Sequence, residues 1–155
     1  MKQEKDINYQ LNDNDGEGKK IGIVKSLWNN NVTSMMYKYC IETLTDHGVS
    51  EKNIYTLEVP GSFELIYGGK KILRNNNLDA VVLIGSIIKG ETPHFEFISQ
   101  AVTNGVKDLN ILYDIPFIFC VSTDLNLQQA LSRSGGQKGN KGRDAAKTAL
   151  QLIKE

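Results

Sequence analysis

Ala80-Val81-Val82-Leu83-Ile84 is the most apolar run in the chain, and it leads directly into Gly85-Ser86-Ile87-Ile88-Lys89-Gly90-Glu91-Thr92-Pro93-His94-Phe95. A short, β-branched run without alternation reads as a strand buried on both faces, the kind found in parallel sheets covered by helices. The chain on either side supports that reading. In chain order Ile21-Gly22-Ile23-Val24 is the first, buried strand, Ile54 to Val59 the second, the Ala80 run the third and Pro116 to Val121 the fourth. Between them lie helical patterns. One runs from Asn30 or Asn31 to about His47, with Met35, Met36, Tyr39, Cys40 and Leu44 on one side and Gly48 as its stop. Another starts with Ser62 as cap and runs to about Arg74, and a third runs from Pro93 to about Leu109. A short helix is expected over Leu125 to Ser134, and a last one from about Arg143 to Lys154. Strands alternating with helices give an α/β domain whose parallel sheet is covered on both faces, with right-handed crossovers. Ligands of such sheets sit beyond the carboxyl ends of the strands.

Composition sets the bounds. The 155 residues suit one domain, expected over residues 21–155. Hydrophobic residues make up 40% and charged residues 23%, enough apolar material for a core without disulfides or a structural metal. Lys plus Arg equals Asp plus Glu at 18 each, so no net field gathers nucleic acid or an anionic membrane. Cys40 and Cys120 form no C-x-x-C pair and read as reduced, buried thiols. His47 and His94 lack partners at ligand spacing, so no metal site is expected. No apolar run approaches the ~20 residues of a membrane helix. Met1 to Lys20 is polar, lacks a signal-peptide core, and reads as a flexible arm ordered by contact with another subunit. The expected compartment is the cytoplasm.

The segments that leave the strands carry the chemistry. Trp28, the only tryptophan, follows the first strand beside Asn29. It is either a packing residue or a flat platform for a planar heterocycle, with Asn29 supplying amide hydrogen bonds. Pro60-Gly61-Ser62-Phe63-Glu64 follows the second strand; a helix start there leaves backbone N–H groups free, although a plain β-to-α turn gives the same pattern. In the segment after the third strand, Thr92 is expected to cap a helix and Pro93 to be its first residue. His94 then falls in the first turn, where the positive end of the helix favours a neutral imidazole able to take a proton. The same N–H groups suit an anion. The loop Gly135 to Gly142 is rich in Gly and Lys but lacks the P-loop spacing. Arg133 before it can clamp a phosphate bidentately, whereas Lys138 reads as solvated. Together these parts suit a heterocycle reacting with a phosphorylated partner.

Val59-Pro60-Gly61-Ser62-Phe63-Glu64, Gly90-Glu91-Thr92-Pro93-His94-Phe95, and Arg133 followed by Gly139-Asn140-Lys141-Gly142 occur in this order, and with them the chain resembles the lumazine synthases from about Ile21 onward. The resemblance implies a flavodoxin-like three-layer αβα sandwich with a four-stranded parallel sheet. It implies condensation of 5-amino-6-(D-ribitylamino)uracil with 3,4-dihydroxy-2-butanone 4-phosphate, without metal or organic cofactor. By motif position Trp28 would stack on the pyrimidine. Asn29, Ser62, Phe63, Glu64, Ser86, Ile87 and Ile88 would hold the uracil edge and ribityl chain, and Phe119, at the end of the fourth strand, would complete the pocket. Glu91, Thr92 and Arg133 would bind phosphate, and His94 would be the acid/base group.

Some positions depart from the common family pattern: Trp28 for phenylalanine, Ser62 for alanine, Lys89 for arginine and Gln137 for lysine. Lys141 matches the family and suits loop structure or subunit contacts. The resemblance also implies a homo-oligomer, a pentamer or an icosahedral 60-subunit shell, with each site shared between subunits, and an association with riboflavin synthase. Competing readings are the archaeal-type riboflavin synthase of the same fold, a flavin-binding module, and a cage whose shell matters more than its turnover.

Overall fold

The computed structural model describes residues 7–135 and 139–155. Gln137 and Lys138, and the first six residues of the expected arm, lie outside them. Four strands form one sheet: β1 (Ile21–Ser26), β2 (Ile54–Val59), β3 (Ala80–Ile88) and β4 (Phe117–Asp124). Their order is β2-β1-β3-β4, and every pairing is parallel. The helices are α1 (Asn30–Asp46), α2 (Leu65–Asn75), α3 (His94–Leu112), α4 (Leu127–Arg133) and α5 (Lys141–Ile153).

The two faces of the sheet carry separate cores. On one, Ile21, Ile23, Val82, Ile84 and Ile118 pack against Val32, Met36 and Leu44 of α1, Ala130 of α4, and Ala146 and Leu150 of α5. On the other, Val24, Val81, Leu83, Phe117 and Val121 meet Leu65 and Ile72 of α2 and Val102, Val106 and Leu109 of α3. The expected αβα sandwich is thus present. α5 lies so close to α1 that a β-carbon on Gly142 would stand 1.9 Å from the Met36 carbonyl oxygen. Cys40 and Cys120 are both buried as free thiols in the first core.

Three strands are longer than expected, β1 continuing through Lys25 and Ser26. β3 continues through Ser86-Ile87-Ile88, and β4 continues through Ser122-Thr123-Asp124, the two extensions pairing with each other in register. Gly85 reads as a loop residue in the sequence, yet it is a strand residue kept bare by a close approach: a β-carbon there would meet Ser62 Oγ at 2.5 Å and Leu65 Cδ1 at 2.9 Å. Phe119 therefore stands in mid-strand opposite Leu83, not at the strand's end.

Caps also differ from expectation. Ser62 opens a 3-10 turn (Ser62–Glu64) instead of capping α2; Gly61 stands at the cap, where its N–H donates to Glu64 Oε1 at 3.0 Å. Thr92 makes no capping bond, and Pro93 takes the cap position of α3. Asn126 and Asn140 cap α4 and α5 through bonds from Gln129 N and Arg143 N. Before β1, the Tyr9 hydroxyl bonds to Thr148 at 3.0 Å and Gln10 N donates to Gln151 Oε1 at 3.0 Å. These contacts lie within one chain, where the sequence reading looked to another subunit.

Candidate active site

β1 and β3 are neighbours whose connections leave to opposite faces, since α1 covers one face and α2 and α3 the other. This is the switch point of an open parallel sheet, where a crevice opens beyond the carboxyl ends. The chain leaving β1 turns there. Leu27 N donates to Val59 O at 2.8 Å and Trp28 N to Pro60 O at 2.9 Å, binding this turn to the end of β2. Asn29 follows in the left-handed region, φ 58° and ψ 47°, which a short amide side chain tolerates. Its Nδ2 donates to Ser86 O at 2.9 Å, across the switch point. The amide nitrogen expected to meet ligand is therefore engaged by the fold. Trp28 is left 75% exposed, with Gly61 beside its ring.

Around this turn the fold leaves hydroxyls without partners. Ser26, Ser62 and Ser86 are buried, and none of their Oγ atoms has a hydrogen-bond partner among the described residues. A buried polar group without a partner costs about 1–3 kcal/mol, so such groups mark places where a polar ligand can repay what folding gives up. The pleat divides them. Ser86 shares the α1–α5 face with Ile84 and Ile88, whereas Ile87 belongs to the α2–α3 face. Phe119, between Phe117 and Val121, shares the α2–α3 face and is 42% exposed. Phe63 is also exposed, and Glu64 is held by the Gly61 N–H.

Glu91, Thr92 and His94 are exposed between the end of β3 and the first turn of α3. Pro93 O accepts from Phe97 N, so the N–H groups of His94, Phe95 and Glu96 fall in the turn that lacks intrahelical partners. Lys89 N donates to Asp124 O at 2.9 Å, which fastens the base of this loop to β4. Arg133 is the last residue of α4, its side chain half exposed, with Nη1 3.6 Å from Asp124 Oδ1. Asp124 was missed in the sequence: nothing periodic marks a buried carboxylate whose partner lies nine positions on. Lys25 was missed likewise; it is buried on β1 with Nζ bonded to Asn30 Oδ1 at 2.8 Å.

The structure thus brings Trp28, Asn29, Ser62, Glu64 and Ser86 to one end of the sheet. It leaves Phe119 further down β4, while Arg133 reaches the end of β4 from the last turn of α4. Among the described residues no cluster of three or more His, Cys, Asp or Glu could hold a metal, and no helix is long and apolar enough to cross a membrane.

Fold and candidate site define an α/β domain with a polar, aromatic-flanked face at the switch point of its sheet. Comparison with known proteins narrows the class. The family described as 6,7-dimethyl-8-ribityllumazine synthase matches residues 18–155. A 6,7-dimethyl-8-ribityllumazine synthase of Flavobacterium psychrophilum is 53% identical over 133 residues, covering 86% of this chain and 70% of the relative. One from Parabacteroides distasonis is 44% identical, covering 90% and 87%, and one from Bacteroides fragilis 45%, covering 86% and 94%. The chain belongs to the 6,7-dimethyl-8-ribityllumazine synthase family.

Proposed function

We infer that this chain condenses 5-amino-6-(D-ribitylamino)uracil with 3,4-dihydroxy-2-butanone 4-phosphate to 6,7-dimethyl-8-ribityllumazine, releasing phosphate and water. The observation that carries the reading is the gathering of Trp28, the Gly61–Glu64 turn and Ser86 at the switch point of a chain that belongs to this family. Trp28 offers its face to the pyrimidine, and the unpartnered Ser62 and Ser86 hydroxyls, with Phe63, Glu64, Ile87 and Ile88, line the path of the uracil edge and ribityl chain. Asn29 contributes its amide oxygen and, through Nδ2, the posture of the turn.

The amine adds to the ketone and water leaves to give an imine. Phosphate is then eliminated, the resulting enol becomes a ketone, and ring closure loses a second water. Glu91 and Thr92 present backbone groups to the phosphate, Arg133 supplies the cation that its departure needs, and His94 moves protons. Placement of the two reactants supplies most of the rate.

Trp28, Phe63 and Phe119 are large aromatics left 75%, 59% and 42% exposed in one chain. That exposure supports a site completed between subunits, with Phe119 and Arg133 given by one and Trp28 and His94 by the next. The assembly is accordingly a homo-oligomer, a pentamer or a 60-subunit shell, working in the cytoplasm and able to associate with riboflavin synthase. Residues 21–155 form its single catalytic domain, with the arm ahead of them.

The test is direct: purified protein is mixed with both substrates and lumazine absorbance is followed. Product formation no faster than the uncatalysed mixture overturns the reading, and light scattering reads the assembly.

A further inference from the structure

Among the described residues, Asp124 is the one carboxylate shut inside the fold. It is the last residue of β4, and its side chain has no exposed surface. Its Oδ2 is bonded to the Ser122 hydroxyl. Its Oδ1 makes no hydrogen bond, yet lies 3.6 Å from Arg133 Nη1. A buried carboxylate is kept only where a cation or several donors compensate it. Here the compensation is incomplete: one hydroxyl and one guanidinium nitrogen beyond hydrogen-bond distance.

We propose that Asp124 is a positioning residue for phosphate binding: its buried carboxylate draws the Arg133 guanidinium to the end of β4 while leaving the guanidinium's other N–H groups free for a phosphate. This rests on Arg133 binding the phosphorylated substrate. Arginine carries five donors in a planar fork, so one edge faces the carboxylate and another remains for an anion. The half-exposed side chain of Arg133 fits that division. Asp124 O also accepts from Lys89 N, which fastens the strand end that carries the carboxylate. Fixing the fork beforehand removes an ordering cost from phosphate binding. Without the carboxylate, Arg133 samples many rotamers and binds phosphate less well.

Asp124→Asn keeps the shape and removes the charge. The expected result in the assembled enzyme is a KM for the butanone phosphate raised about fivefold, with the KM for the ribitylaminouracil and kcat little changed. Inorganic phosphate, used as a competitive inhibitor, should weaken by the same factor. In an Arg133→Ala background the Asp124→Asn change should have no further effect on either. Ser122→Ala, which frees Oδ2, should raise the same KM by a smaller factor and serves if Asp124→Asn does not fold. Arg133→Ala alone separates the two ideas. If it leaves the phosphate KM unchanged, the phosphate role of Arg133 fails. If it raises that KM while neither Asp124→Asn nor Ser122→Ala does, the positioning role is overturned.

Discussion

Asn29 Nδ2 donates to Ser86 O across the switch point of the sheet, from a residue whose backbone sits at φ 58°. The side chain thus both tolerates the left-handed turn and pins it to β3. Asn29→Ala loses the bond, worth about 1 kcal/mol, and strains the backbone by about 1–2 kcal/mol. Asn29→Gly loses only the bond. Urea denaturation should rank stability as wild type, Asn29→Gly, Asn29→Ala, in falling order; equal losses would show that the left-handed turn is not maintained.

Trp28 is the only tryptophan and stands exposed beside Gly61. A flavin or lumazine stacking on it should quench its fluorescence. Stacking of a base on an aromatic ring is worth about 1–3 kcal/mol, so Trp28→Ala should raise the KM for the ribitylaminouracil about tenfold or more, while Trp28→Phe keeps most of the affinity. Titrating riboflavin and following indole emission provides the check.

Arg133→Ala should cost more activity than His94→Ala. In the proposed reaction the arginine is the cation for phosphate departure, and losing one partner of a desolvated, charge-assisted contact costs about 2–5 kcal/mol. The histidine's protons have other carriers in water, so its loss should fall at or below the low end of the usual general acid/base range, about 10²-fold. Steady-state kcat/KM values in the opposite order would refute this ranking.

Gly142→Ala should unfold or severely weaken the domain. Its β-carbon would meet Met36 O at 1.9 Å and Met36 C at 2.6 Å, and backbone cannot rotate aside as a side chain can. Overpacking of this kind costs about 3 kcal/mol or more. Thermal melts of wild type and variant measure it directly.

Burial pushes the Cys120 thiol from 9.0 up to about 12, and burial raises Cys40 in the same direction. The unfolded thiols ionise first, so the stability these groups confer is whole below about pH 9 and is lost progressively between 9 and about 12. Two measurements follow from this. Native protein at pH 8 should resist iodoacetamide until urea is added. The drop in urea midpoint from pH 8 to pH 10 should be smaller in Cys120→Ala.

Much of the architecture was legible because its cause is local. Ile54 to Val59 alternates and is a strand over that range, and α1 begins close to the expected place, although Asn29 takes the cap position expected of Asn30 or Asn31. The misreadings share a tertiary cause. Gly85 resembles a strand stop until Ser62 and Leu65 are seen pressing on it. The polar Ser122-Thr123-Asp124 resembles a loop until β3 is found beside it, supplying the ladder. The site divides in the same way. Trp28, Glu64 and His94 stand out as residue types at strand ends, whereas Asp124 and Lys25 carry no signal until packing shows them buried.

The continuation of β3 through Ile88 also sets a kind of reading frame for the ligand end of the sheet. Ser86, Ile87 and Ile88 occupy alternate faces, and each is fixed opposite Ser122, Thr123 and Asp124 in turn. Deleting one apolar residue upstream in β3 would exchange the occupants of the two faces with no change in net charge. Natural variation here is therefore expected to proceed by substitution, with gains and losses of length confined to the segment beyond Lys89.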